Sequence, residues 1–180
     1  AGAPEEVAEV AVEVVCSVAG RGSDRLVSAL RPRALALAGP AAAALASGDL
    51  ERAEALYRVV AEFAHCSLEV LAADNPEGEA WREAVLAAAG QPAGLGAASA
   101  PALEVWGSLL DFGASSRAGE HALLLLRPVC TRLLTVLLST LRLDGGGQLL
   151  RDHADDAVQA VARALGPQLF ITEVMRALEM

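Results

Sequence analysis

Aromatic residues make up only 3% of this 180-residue chain, and lysine is missing altogether, so that all 14 basic residues are arginine. The shortage of aromatics disfavours most β architectures, whose pleated faces draw on β-branched and aromatic side chains. The lack of lysine excludes little, because arginine and lysine serve equally on most solvated faces; it reads as codon bias. Cysteine is sparse as well. Cys16, Cys66 and Cys130 stand far apart, odd in number and with no CxxC pair, so neither a disulfide framework nor a thiolate metal site is expected. A reducing compartment fits this usage.

Long apolar runs are missing too. The uncharged stretches Ala34–Gly48 and Ala84–Leu103 are broken by proline or glycine, and the leucine-rich stretch Ala122–Leu143 is interrupted by Arg127, Arg132 and Arg142. No membrane span is therefore expected. The chain opens without a basic n-region, so no secretory signal is expected, and it reads as an internal section of a longer protein.

What remains is strongly helix-favouring. Hydrophobic residues reach 54%, about one residue in five is alanine, and charged residues are 21%. Such hydrophobicity argues against intrinsic disorder. The net charge of -9 and pI near 4.8 exclude a general nucleic-acid coat, which needs a basic footprint, and permit basic partners.

Glycine and proline divide the chain into apolar-periodic blocks, none of which keeps a period of two. The expected helices run from Pro4 to about Val18, from about Ser23 to Ser47 with kinks or a break at Pro32 and Pro40, and from an N-cap at Asp49 to a stop at Asn75-Pro76-Glu77-Gly78. A short helix is expected from Glu79 to Ala89, then a loop over Pro92–Ala100. Further helices are expected over Ala102–Phe112, over Gly119–Leu143, from about Gln148, and after Gly166-Pro167. Paired, they occupy about 4–47, 49–90, 100–143 and 148–180, a spacing close to the 40–47 residues of HEAT and armadillo repeats. The expected fold is all-α, an α-α superhelix of HEAT-like repeats forming one continuous solenoid.

Arg127, Thr131, Thr135, Ser139 and Arg142 form a narrow polar stripe on an otherwise apolar helix. An inner solenoid helix, covered on both flanks and facing the concave surface, carries this pattern; a helix at the centre of a compact bundle would look similar. Tyr57, Phe63 and Trp106 are the expected large core residues. Glu5, Glu9 and Glu13, four apart, share one face of the first helix, either simply solvated or facing a basic partner.

Catalytic groups are not evident. His65-Cys66 point about 100° apart on a helix with no second ligand pair at usable spacing, and Cys66 continues the Leu56, Val59, Phe63 stripe as a core residue. Asp152-His153 with Asp155 and Asp156 read as acids in the first turns of a helix rather than as a metal clasp. Asp144 and the glycines after it lack the lysine and hydroxyl of a phosphate loop, and no G-x-S-x-G is present. No catalytic residue, metal or cofactor is expected, and the chain reads as a non-enzyme.

Specific strings then bear on identity. Gly48–Leu71, GDLERAEALYRVVAEFAHCSLEVL, resembles the long helix of importin-β superfamily receptors through its core of Tyr57, Arg58, Val59, Val60 and Glu62. LAAAGQP at Leu86–Pro92 and ALEVWGSLLDF at Ala102–Phe112 look like the next helix end and the tryptophan-bearing helix. PVCTRLLTVLLSTLRL, with Arg132-Leu133-Leu134, and LLRDHADDAVQAV follow in the family's order, and Leu169–Leu178 is similar to a short closing helix. The branch resembled is the transportins that import serine/arginine-rich proteins. A long acidic loop common in that branch shrinks here to Asp144 and three glycines.

The resemblance implies a karyopherin. Its partners would be Ran-GTP, a basic or Ser/Arg-rich cargo protein and nucleoporins, with no direct nucleic acid and no membrane insertion. Its location would be shuttling between nucleus and cytoplasm. In that family Ran contacts concentrate in amino-terminal repeats and cargo contacts spread along the concave face. The alternative is a generic α-solenoid interaction scaffold without Ran dependence.

Overall fold

The computed structural model describes residues 13–15, 17–21, 24–89, 102–110, 119–142 and 148–179, without the side chains of 119–128 and 149. The described residues are helices and short turns, with no strand among them, so the fold is all-α. Residues 13–15 and 17–21 are helical. Then come α1 (Asp24–Ala36), α2 (Ala38–Ala46), α3 (Leu50–His65), α4 (Leu68–Leu71) and α5 (Pro76–Ala89). Residues 102–110 form α6, followed by α7 (Gly119–Arg142) and α8 (Gln148–Glu179).

The break between α1 and α2 falls at Leu37, leaving Pro32 inside α1 and Pro40 in the first turn of α2. There a missing N–H costs no helical hydrogen bond, because the first amides of a helix have no partner within it. The α2–α3 junction is closed by two adjacent caps. Gly48, at φ 80, lets Asp49 N–H reach Ala44 O at 3.0 Å while Gly48 N–H reaches Leu45 O at 3.1 Å, a Schellman pair. Asp49 then caps α3, its carboxylate accepting from Arg52 N–H at 3.3 Å. Asp49→Ala leaves that amide unpaired; the expected loss is about 0.5–2 kcal/mol, measured by urea unfolding.

The third expected helix is shorter than the sequence pattern suggested. It ends at His65, and Cys66-Ser67 separate it from the single turn α4. Asn75-Pro76-Glu77-Gly78, expected as a stop, instead starts α5, which therefore begins at Pro76 rather than Glu79. The Asn75 side chain accepts Gly78 N–H at 2.8 Å, and Pro76 takes the first helical position, which suits its fixed φ. Consequently the segments 4–47 and 49–90 each hold more than a simple helix pair.

Gly166, at φ 71 and ψ 166, divides α8 into two helical stretches at the expected Gly166-Pro167 break. Only glycine adopts that φ readily, and the following proline pushes ψ to the extended range.

One apolar cluster runs from Ala19 to Ala177. Tyr57, Phe63, Trp81 and Trp106 are its largest buried side chains, and alanines such as Ala53, Ala61, Ala64, Ala88 and Ala89 let the helices approach closely. Helix α6 is buried along its length except at Glu104, Gly107 and Ser108. Ion pairs tie neighbouring helices at the surface: Arg31 to Glu77 at 3.0 Å between α1 and α5, and Arg132 to Glu83 at 2.7 and 3.1 Å between α7 and α5.

Candidate protein-binding surfaces

The polar stripe of α7 is open at one end and covered at the other. Ser139 and Arg142 are exposed, Thr131 and Thr135 half-buried, and the Arg127 side chain lies outside the described residues. Its hydroxyls turn inward. Thr135 Oγ1 donates to Thr131 O at 3.0 Å and Ser139 Oγ to Thr135 O at 2.7 Å, so the helix itself absorbs much of their polarity. Thr131 Oγ1 donates to Glu173 at 2.5 Å. That carboxylate, on α8, is buried and also accepts from Arg176 Nη1 at 2.8 Å, which offsets its removal from water. The open part of the stripe is therefore Ser139 and Arg142.

Of the acidic trio, Glu13 is described and exposed, while Glu5 and Glu9 lie outside the described residues. Tyr57, Phe63 and Trp106 are buried, and burial pushes the Tyr57 phenol above its ordinary value. Trp81 joins them, at a position the sequence reading did not single out.

Cys66 is not the core residue its spacing suggested. It caps the end of α3 as an exposed residue, and its thiol donates to Ala19 O at 3.0 Å. Partial burial of the sulfur, and then the Glu62 carboxylate, push its pKa up, which disfavours the reactive thiolate. His65 beside it is exposed. Cys130 is buried in α7.

The acids opening α8 make local contacts. Asp152 accepts from Gln148 Nε2 at 2.7 Å, and Asp155 from Gln159 Nε2 at 2.7 Å, each one turn along the helix. Among the described residues no three His, Cys, Asp or Glu side chains converge as a metal cluster, and no helix is long and apolar enough to cross a membrane.

Two further surface features emerge. Ile171, Met175 and Leu178, spaced by four and three, form an exposed apolar stripe on the last stretch of α8. Between α6 and the first stretch of α8 lies an open groove of about 230 Å³, lined by Leu103, Glu104, Gly107, Ser108, His153, Asp156, Ala157, Ala160 and Arg163. Its local signal in the sequence is that Glu104, Gly107 and Ser108 are one polar and small face on an otherwise apolar helix. Its other wall is some fifty residues away, so spacing alone did not bring the two together.

Comparison with protein-family models, with curated proteins and with solved structures finds no match to this chain.

Proposed function

We propose that this chain is a HEAT-like solenoid section of a nuclear transport receptor, binding a basic cargo protein and Ran-GTP to carry proteins through the nuclear pore. The observation that carries the reading is the order of the karyopherin-like strings together with their placement. They fall in order on helices α3 to α8, and Tyr57 and Phe63 of α3 and Trp106 of α6 enter one continuous core. The exposed Ile171, Met175 and Leu178 stripe supports a solenoid, whose helices carry apolar surface toward neighbours on more than one side. The net charge of -9 suits basic cargo.

Such a receptor works by differential binding, cargo and Ran-GTP each favouring a different curvature of the same superhelix. The test is a pull-down of the full-length protein with Ran loaded with GTP or with GDP. Retention of the GTP form and loss of the GDP form is the expected result. Equal retention of both, or of neither, would reject transport by Ran. Such a result would support instead an α-solenoid interaction scaffold with no Ran dependence.

A further inference from the structure

We propose that residues 167–179, the second stretch of α8, form a hinged cover over part of the α7 polar stripe, opening as a unit about Gly166 while the other helices stay packed. The cover is intramolecular and stands without the transport reading.

The joint is a single residue. Gly166 leaves helical geometry inside α8, in a backbone region that glycine alone enters without strain. Pro167 has no N–H to offer the preceding turn, so the two stretches lack one of the hydrogen bonds that stiffen a continuous helix. A change of φ and ψ at Gly166 therefore reorients the second stretch and leaves the hydrogen bonds within each stretch intact.

The two stretches are held very differently. Leu150, Ala154, Ala157, Ala160 and Val161 give the first a continuous buried seam. In the second, Glu173 and Ala177 are buried and Phe170 and Val174 half-buried, while Leu169, Ile171, Met175 and Leu178 face solvent. An element that buries less apolar surface opens at lower cost, so the second stretch opens before the first. Its most enclosed side chain is moreover a carboxylate, 2% exposed. Docking takes the Glu173 charge out of water in exchange for bonds from Thr131 Oγ1 and Arg176 Nη1. Opening returns it to water, so this contact adds less to closure than an apolar side chain would. It fixes where the stretch docks and holds it weakly.

That latch sits on the stripe. With the cover closed, the Thr131 hydroxyl is given to Glu173, and the exposed part of the stripe is Ser139 and Arg142. Opening frees the Thr131 hydroxyl and lengthens the polar face from Ser139 back to Thr131, about two helical turns. The same motion uncovers the inner side chains Phe170, Val174 and Ala177.

The test is amide hydrogen exchange of the full chain, read residue by residue by NMR. Amides of 171–178 are expected to exchange as one group, about tenfold or more faster than those of 154–163 once intrinsic rates are allowed for. Their exchange should depend little on urea, because opening the cover exposes little new surface. A Cβ on Gly166 meets nothing within 4 Å, so Gly166→Ala strains the joint alone. It should speed exchange in 171–178 by a further factor of about ten and leave 154–163 unchanged. Thr131→Val keeps the shape of the side chain but removes the donor to the buried carboxylate, and should act in the same direction on the same amides. Protection of 171–178 equal to that of 154–163, or exchange there that tracks global unfolding in urea, overturns the cover. So do variants that leave 171–178 unchanged or speed both stretches alike. The comparison within the unmodified chain decides the matter if either variant folds poorly. Exchange is read without Ran, so failure of the pull-down and failure of the cover are separate outcomes.

Discussion

Replacing Trp106 with alanine lowers the stability of this protein by about 3–5 kcal/mol, the loss that follows truncation of a large, fully buried side chain. The indole has no exposed surface, and α6 around it is buried through Ala102, Leu103, Val105, Leu109 and Leu110. A helix enclosed on that many sides cannot easily collapse into the void, which places the expected cost at the upper end. Trp106→Phe behaves differently. Among the described residues the buried indole Nε1 has no hydrogen-bond partner, nor has that of Trp81, so the smaller ring gives up packing but removes an unsatisfied donor. Its expected cost is about 1 kcal/mol, the two effects partly cancelling. Thermal and denaturant unfolding of the two variants measure the difference; an unchanged midpoint in Trp106→Ala would place the indole outside the core.

Gly78→Ala is the second large effect, although it adds only a methyl group. A Cβ at that position would lie 2.5 Å from Ala73 O and 2.6 Å from Val70 O, both backbone atoms, and 3.2 Å from Arg82 Nη1. Elsewhere in a helix glycine-to-alanine is favourable by about 1 kcal/mol, because glycine loses more conformational freedom on folding. Here contact with the backbone outweighs that gain. The turn after α4 must shift, and it is held by Arg82, whose Nη1 donates to Leu71 O at 2.5 Å and to Ala73 O at 3.0 Å. The expected net loss is about 2–3 kcal/mol, from overpacking and a strained charged hydrogen-bond pair. Gly107→Ala is the matched control, since its Cβ enters open space, and it should leave stability level or slightly raised. If the two substitutions shift the denaturation midpoint alike, the close approach of α5 to the end of α4 is incorrect.

The same corner shows where local sequence reasoning reached its limit. Gly48-Asp49 and Gly166-Pro167 were legible because each breaker has one dominant use: a left-handed C-cap followed by an N-cap, or a positive φ before proline. Asn75-Pro76-Glu77-Gly78 contains residues that can end a helix or begin one. What decides between them is Arg82, eleven residues beyond the carbonyl it caps, which lets α4 stop early and frees Asn75 to cap α5. Cys66-Ser67 carries no glycine or proline, so the apolar spacing through Cys66 extended α3 past its real end. Tyr57, Phe63 and Trp106 were readable as core from size and period. Trp81 lay inside the expected Glu79–Ala89 helix but was not singled out there as core. The polar stripe was visible as a pattern, but not that Glu173 covers Thr131, because forty-two positions separate the two.

The back-to-back caps at Gly48 and Asp49 also bear on how the chain reaches its native state. They bring α2 and α3 together across a connection of three residues, so very little loop entropy is spent in joining them. Contacts this close in sequence form early and fast, whereas the docking of α6 against α8 must wait for closure over some fifty residues. Folding would thus begin with such locally joined helices, and the longer-range docking of α6 on α8 would follow.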